Sequence, residues 1–286
     1  MNSNNKVFFV AEMSANHLGE KQRALDIVKA AADAGADAVK IQTWTPGTMC
    51  KPDYVIESGP WAGRNLAELY EEAWTPWSWH KDIFDACRDH GIVGFTTVFD
   101  IPALRWLEQD HNCPIYKISS FELTHDPLIA AVAKTGKPMI ISTGMGTWAE
   151  MWYAKQIAED NGCIDLTMLK CTSSYPAPVN ECNLAMIPEM KRRLGCKIGL
   201  SDHTMITDTS QVAALLGAEV IERHITLTQR DGGLDAGFSL TPGELHNQIL
   251  SIKIALSMLG TTDGGPTPSE LSSLKLRRGL DGHRGS

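Results

Sequence analysis

Two short runs, KIGLSDHT at 197–204 and VIERHIT at 220–226, each set a histidine and a carboxylate into an otherwise apolar strand pattern. A lone strand histidine is more often a hydrogen-bonded core residue than a ligand. Here there are two, His203 and His224, on the last two strand patterns and each beside an acid, which points to a divalent metal. With no clear third protein ligand, the coordination sphere stays open to water and substrate. That suits Mn²⁺ or Mg²⁺ better than structural zinc. Asp202 either orients a ring or caps the following helix.

Lys40 in AVKIQT and Lys117 in IYKIS are charges in the middle of strand patterns. Buried lysines are costly unless paired, so each either closes an internal salt bridge with Glu12 or Glu122 or clamps a phosphate or carboxylate. Thr97, Ser120, Ser142 and Ser201 supply hydroxyl and backbone donors for the same anion. The run ISTGMGT at 141–147, a strand entering a glycine turn and a helix N-terminus, reads as an anion seat. Tyr175 is a substrate contact or a rim aromatic. Lys40/Gln42, Ser201/His203 and Glu222/His224 are i, i+2 pairs, and each pair faces one side of its strand.

The elements that must position these groups follow a regular alternation. Strand patterns occupy 7–13, 38–43, 93–99, 115–119, 139–143, 166–172, 197–204 and 220–226, and polar residues stand at the C-terminal end of every one. Amphipathic helical patterns lie between them, among them QRALDIVKAAADAG, SWHKDIFDACRDHG and NLAMIPEMKRRLG, several ending in glycine. This is an α/β chain, and eight strand–helix units predict a closed (β/α)8 TIM barrel. A doubly wound sheet would want GxGxxG after its first strand, where this chain has SANHLGE. The loops 44–77 and 227–241 are long and are expected on the active face. Residues 1–262 are assigned to the barrel; 263–286 form a Gly/Ser/Thr-rich tail or linker expected to be loosely held.

Composition narrows the function classes. The 286 residues carry a net charge of -8, so nothing electrostatic supports nucleic-acid binding. No apolar stretch reaches the length of a membrane span, and the start MNSNNKVFFVAEM lacks the form of a signal peptide. Seven cysteines without CxxC spacing argue against a disulfide framework and for a reducing, cytoplasmic setting.

The segments AEMSANHLGE (11–20), GADAVKIQTWTP (35–46), KISSFELTHDPLI (117–129), PMIISTGM (138–145), LKCTSSYPAP (169–178), IGLSDHT (198–204) and VIERHIT (220–226) together resemble the phosphoenolpyruvate-condensing nonulosonic (sialic) acid synthases. SANH, the stretch 61–81 and CTSSYP are most similar to the pseudaminic acid synthases within that family. The resemblance implies condensation of phosphoenolpyruvate with an open-chain, N-acetylated six-carbon amino sugar to a nine-carbon 2-keto acid and phosphate. Carried over by motif, His203 and His224 hold the metal, Mn²⁺ or alternatively Mg²⁺ or Co²⁺. Lys40, Thr97, Lys117, Ser120, Ser142 and Ser201 grip phosphoenolpyruvate, with Ser173 assisting, and Glu12 is the acid/base for the attacking water. Gln42, Tyr175, Glu222 and Asp235 line the sugar side. A homodimer is implied as well. Leu18 and Val98 depart from the family pattern, and the chain stops where an antifreeze-like domain would begin. Two alternatives stand beside this reading: a related synthase for another, phosphorylated aldose, and a catalytically silent sugar- or phosphoenolpyruvate-binding barrel.

Overall fold

Strands buried on both faces read as short continuous apolar runs, and parallel neighbours need a crossover, usually a helix, between them. The computed structural model, which describes residues 6–111, 113–280 and 283–284, has both features. Its strands are β1 (Phe8–Glu12), β2 (Ala38–Thr43), β3 (Val93–Val98), β4 (Tyr116–Ile118), β5 (Met139–Ser142), β6 (Leu166–Cys171), β7 (Lys197–Asp202) and β8 (Val220–His224). They pair in parallel in chain order and close, β8 on β1, into the expected barrel.

The helices are α1 (Lys21–Ala34), α2 (Pro46–Met49), α3 (Leu66–Ala73), α4 (His80–Asp89), α5 (Ile101–Asp110), α6 (Asp126–Ala133), α7 (Trp148–Asp160), α8 (Met186–Leu194), α9 (Asp208–Leu215) and α10 (Pro242–Met258). α1 buries Ala24, Ile27, Val28, Ala31 and Ala34, one face at helical spacing, and Gly35 stops it at φ 93°. The long loop after β2 is not structureless: it contains α2 and α3. The loop after β8 holds two 3-10 turns, Gln229–Asp231 and Ala236–Phe238.

Register decides which side chains enter the barrel. Glu12 is level with Lys40 and His224, Gln42 with Thr97, Thr97 with Lys117, Cys171 with Ser201, and Ser201 with Glu222. These groups fill the upper interior, while Val10, Ala38, Phe95, Ile140 and Leu169 fill the lower layers. The expected Val, Ile and Phe filling is therefore joined by smaller residues. At Gly199 a Cβ would collide with the Val220 carbonyl and with Leu169, so glycine is what lets β7 approach β8. The alternate residues, among them Ile41, Ile118, Ile141, Met168 and Ile221, point outward and are buried under the helices.

The chain divides into two compact units, residues 1–256 and 257–286. The second carries a 3-10 helix, Pro268–Leu276, started by a Thr267–Glu270 capping box. Among the described residues no helix is long and apolar enough to cross a membrane.

Candidate active site

Four charged side chains form the floor of the barrel mouth. Lys40 Nζ lies 2.6 Å from Glu12 and 3.7 Å from Glu222, and it donates to Thr97 Oγ1 at 2.9 Å. Lys117 Nζ donates to Ser142 Oγ at 2.6 Å and is 3.9 Å from Glu222, which accepts from Ser201 Oγ at 3.0 Å. Gln42 Nε2 donates to Glu12 Oε1 at 2.9 Å and to Ser14 Oγ at 2.8 Å, and the Ser14 hydroxyl donates to Glu12. Ser14 reaches back because the chain turns through φ 45° directly after β1, a costly conformation for a side-chain-bearing residue.

Both lysines and both glutamates are at most 4% exposed. Burial pulls Lys40 down, but the Glu12 and Glu222 carboxylates outweigh it and hold its pKa above the ordinary lysine value. In Lys117 burial prevails over the more distant Glu222, with Lys40 adding repulsion, and its pKa falls. Burial would raise Glu222, yet the two lysines and the Ser201 hydroxyl keep it below the usual carboxylate range. Both readings of the lysines are thus present in one cluster: they are salt-bridged, and they face the cavity. Glu122 is not their partner; it takes the Ser119 hydroxyl. Glu222, expected to line the sugar side, also lies against both lysines.

A second tier of donors comes from the loops after β4, β5 and β6. The Gly144 N–H donates to Ser120 Oγ at 3.0 Å. A Cβ on Gly144 would fall on Ser173 Oγ and within 2.9 Å of Ser120 Oγ, so this glycine leaves a cradle between two serines. At the helix N-terminus expected to seat an anion, the protein supplies its own cap. Thr147 caps α7 and Glu150 returns to the Thr147 amide, so the protein's own carboxylate already sits there. The donors in this run are Ser142 and the Gly144 amide, upstream of the helix.

Above the floor stand the histidines, with ring centroids 5.3 Å apart. His203 Nδ1 faces the Thr172 carbonyl at 3.0 Å and Cys171 Sγ at 3.9 Å, so Nδ1 carries a proton. Burial lowers the pKa of this ring, but Cys171 and the Thr172 carbonyl outweigh burial and hold it above the ordinary imidazole value. His224 Nδ1 is buried with no hydrogen-bond partner. Burial, then the charges of His203, Lys40 and Arg223, hold His224 well below the ordinary imidazole pKa, in the neutral form that ligates metals. Two inward imidazoles, one with an orphaned buried nitrogen, fit a divalent ion. Among the described residues no cluster of three or more His, Cys, Asp or Glu side chains is arranged to hold one. Asp202 makes no hydrogen bond to a histidine ring and does not face the cavity; it points outward, pairs with Arg223 at 2.6 Å and accepts from Ser210 Oγ at 2.6 Å.

The rim is aromatic. Tyr175 lies over His203 at 4.4 Å between centroids and touches Trp61 at 5.6 Å and Phe238 at 5.1 Å, while Phe238 meets His224 at 5.0 Å. Trp61 Nε1 donates to the Leu234 carbonyl at 3.1 Å, tying the loop after β2 to the loop after β8. Asp235 accepts from the Ala15 amide at 3.3 Å, and burial, helped by the Glu12 charge, pushes its pKa up to about 6. Ser14, Cys171, Trp61, Phe238 and Arg223 were not singled out from the sequence. Loop length indicated where Trp61 and Phe238 would lie, but not which side chains turn inward. At the opposite end of the barrel, a hollow lined by Asp165, Lys191, Lys197 and Glu219 has its lysines already paired, Lys197 with Asp165 at 2.8 Å and Lys191 with Glu219 at 2.9 Å.

Residues 27–264 match the NeuB family. The chain is 40% identical over 264 residues to the pseudaminic acid synthase of Campylobacter jejuni, covering 91% of this chain and 76% of that protein. It is 36% identical to the pseudaminic acid synthase of Helicobacter pylori, covering 92% and 78%. The crystal structure of an N-acetylneuraminic acid synthetase from Leptospira borgpetersenii, in complex with citrate, superposes with a TM-score of 0.87 at 28% identity, covering 97% of this chain and 93% of that one.

Proposed function

The chain belongs to the NeuB family and is a phosphoenolpyruvate-dependent nonulosonic acid synthase; on that premise we propose that its acceptor is an open-chain, N-acetylated six-carbon amino sugar, the product a pseudaminic- or sialic-type nine-carbon 2-keto acid. The observation that carries this reading is the buried floor of Lys40, Lys117, Glu12 and Glu222 beside two inward histidines. It offers an anion clamp, a carboxylate for proton handling and a place for a Lewis acid within one barrel mouth.

Phosphoenolpyruvate is held by Lys40 and Lys117, with the hydroxyls of Thr97, Ser120, Ser142, Ser173 and Ser201 and the Gly144 amide around its oxygens. Its enol carbon C3 forms the new bond to the acceptor's aldehyde carbon, and the aldehyde oxygen takes up a proton. Water adds at C2 of the pyruvyl unit, and phosphate departs with cleavage of the C2–O bond. Glu12, fixed by Lys40, Gln42 and Ser14, is placed to take the proton from that water. His203 and His224 would hold a divalent ion, Mn²⁺ or alternatively Mg²⁺ or Co²⁺, which when bound polarises the aldehyde oxygen. Gln42, Tyr175, Glu222 and Asp235 line the acceptor side, and the Trp61–Tyr175–Phe238 wall offers apolar contact to N-acyl methyl groups. A homodimer in the cytoplasm completes the reading. The seven free thiols support a reducing compartment.

The test is phosphate release by the purified protein with phosphoenolpyruvate, Mn²⁺ and a panel of hexoses. Release is expected with N-acetylated amino sugars and not with plain or phosphorylated aldoses. Preference for a phosphorylated aldose would move the protein to the related synthases. Binding of phosphoenolpyruvate without turnover on any acceptor would make it a silent barrel.

A further inference from the structure

Arg223 and Asp202 form an ion pair directly behind the two histidines, and no step of the chemistry uses it. They are partners in the β7–β8 register, and each immediately precedes a histidine, Asp202 before His203 and Arg223 before His224. Because side chains alternate along a strand, an outward pair at this level obliges the next residues to face the cavity. Both side chains are 1% exposed, with Nη1 2.6 Å from Oδ2. Arg223 Nη2 donates to the Thr204 carbonyl at 2.9 Å, and Nη1 reaches the Ile206 carbonyl at 3.3 Å and Thr204 Oγ1 at 3.4 Å. Asp202 accepts from the Thr204 amide at 2.9 Å and from Ser210 Oγ of α9 at 2.6 Å. Thr204, the residue following His203, is therefore gripped at its N–H by Asp202 and at its carbonyl by Arg223.

A fully buried ion pair of this kind adds little net stability, since desolvating two charges offsets their attraction. What the pair supplies is geometry: it ties the end of β8 to the start of the loop after β7, and so fixes the separation and aim of the two rings. We propose that Arg223 and Asp202 are positioning residues that set the His203–His224 spacing for a divalent cation. The proposal rests on the metal reading above. Removing groups that orient metal ligands typically costs about 10–100-fold in metal affinity.

The test is Mn²⁺ binding to the full chain, followed by the electron paramagnetic resonance signal of free Mn²⁺, with thermal unfolding as the check on folding. Arg223→Met alone strands a buried carboxylate and risks unfolding, so the double variant Asp202→Asn/Arg223→Met carries the test, with Asp202→Asn alone as the second. Each is expected to weaken Mn²⁺ binding about 10–100-fold. Arg223→Lys, which keeps a cation opposite Asp202, is expected to recover most of the affinity, whereas a purely space-filling role would let Met serve as well as Lys. A folded double variant, or a folded Asp202→Asn, that binds Mn²⁺ within twofold of the parent overturns the proposal while leaving the metal reading intact. Undiminished Mn²⁺ binding by both His203→Ala and His224→Ala overturns the metal reading, and the positioning role with it.

Discussion

Lys40 and Lys117 are both sealed inside the barrel, yet they are not equivalent. Lys40 is held charged by a carboxylate at 2.6 Å, whereas the carboxylate nearest Lys117 is 3.9 Å away and burial dominates it. An arriving anion therefore improves the surroundings of Lys117 more. Lys117→Ala is expected to weaken phosphoenolpyruvate binding by about 2–4 kcal/mol, measured by calorimetry. Glu12→Gln keeps the shape of the site but removes the proton acceptor, so kcat should fall about 10²–10⁴-fold with phosphoenolpyruvate affinity little changed. The opposite pattern would mean that the two roles are exchanged. Both residues were legible in the sequence because a charge inside a strand pattern demands an explanation. Glu222 was only half legible: its level in the barrel followed from spacing, but its contact with both lysines depends on two strands that sequence does not bring together.

At the scale of elements, β7 carries Ser201 and leads into His203, and its approach to β8 depends on Gly199. Gly199→Ala is expected to destabilise the fold by about 1–3 kcal/mol, since the added carbon meets a backbone carbonyl that cannot step aside. Urea unfolding measures this directly. Two other histidines make the outer elements sensitive to acid. His17, in the 3-10 turn Ser14–His17, and His80, at the start of α4, are buried, and burial pushes each pKa down to about 4. Their folded values lie below the unfolded one, so their contribution is complete above about pH 6.5 and is lost as pH falls towards 4. Each is worth on the order of 3 kcal/mol across that window. The thermal midpoint should drop between these limits, and His80→Gln, which can still reach Thr43, should flatten the drop. Strands and helices were readable because period and glycine stops are local signals. Which helix start would be closed by its own Glu150 was locally visible too, as Thr147 followed three residues later by an acid, but the glycine turn before it drew the reading to an anion. The turn of Trp61 onto Leu234 and the reach of Arg223 across the strand seam have no local signal at all.

For the barrel as a whole, closure of β8 onto β1 leaves no sheet edge, and the floor neutralises its own charges. The metal-free protein is therefore expected to be folded, and a divalent ion adds stability by mass action. Mn²⁺ at about 100 times its Kd should contribute about 2.7 kcal/mol and raise Tm by several degrees. His203→Ala and His224→Ala should each abolish that rise in a thermal shift measurement, and an undiminished rise in both would locate the ion elsewhere. The strict alternation at the end of β8, with Glu222 and His224 inward and Arg223 outward, also governs how such a gene can drift. Loss of one codon from β8 would turn Arg223 into the cavity and send Glu222 and His224 beneath the helices, inverting the site in a single event. The loops at 44–77 and 227–241 have no such parity to preserve. Length variation among descendants should therefore accumulate in those loops, where it remodels acceptor choice, while the strands keep their length to the residue.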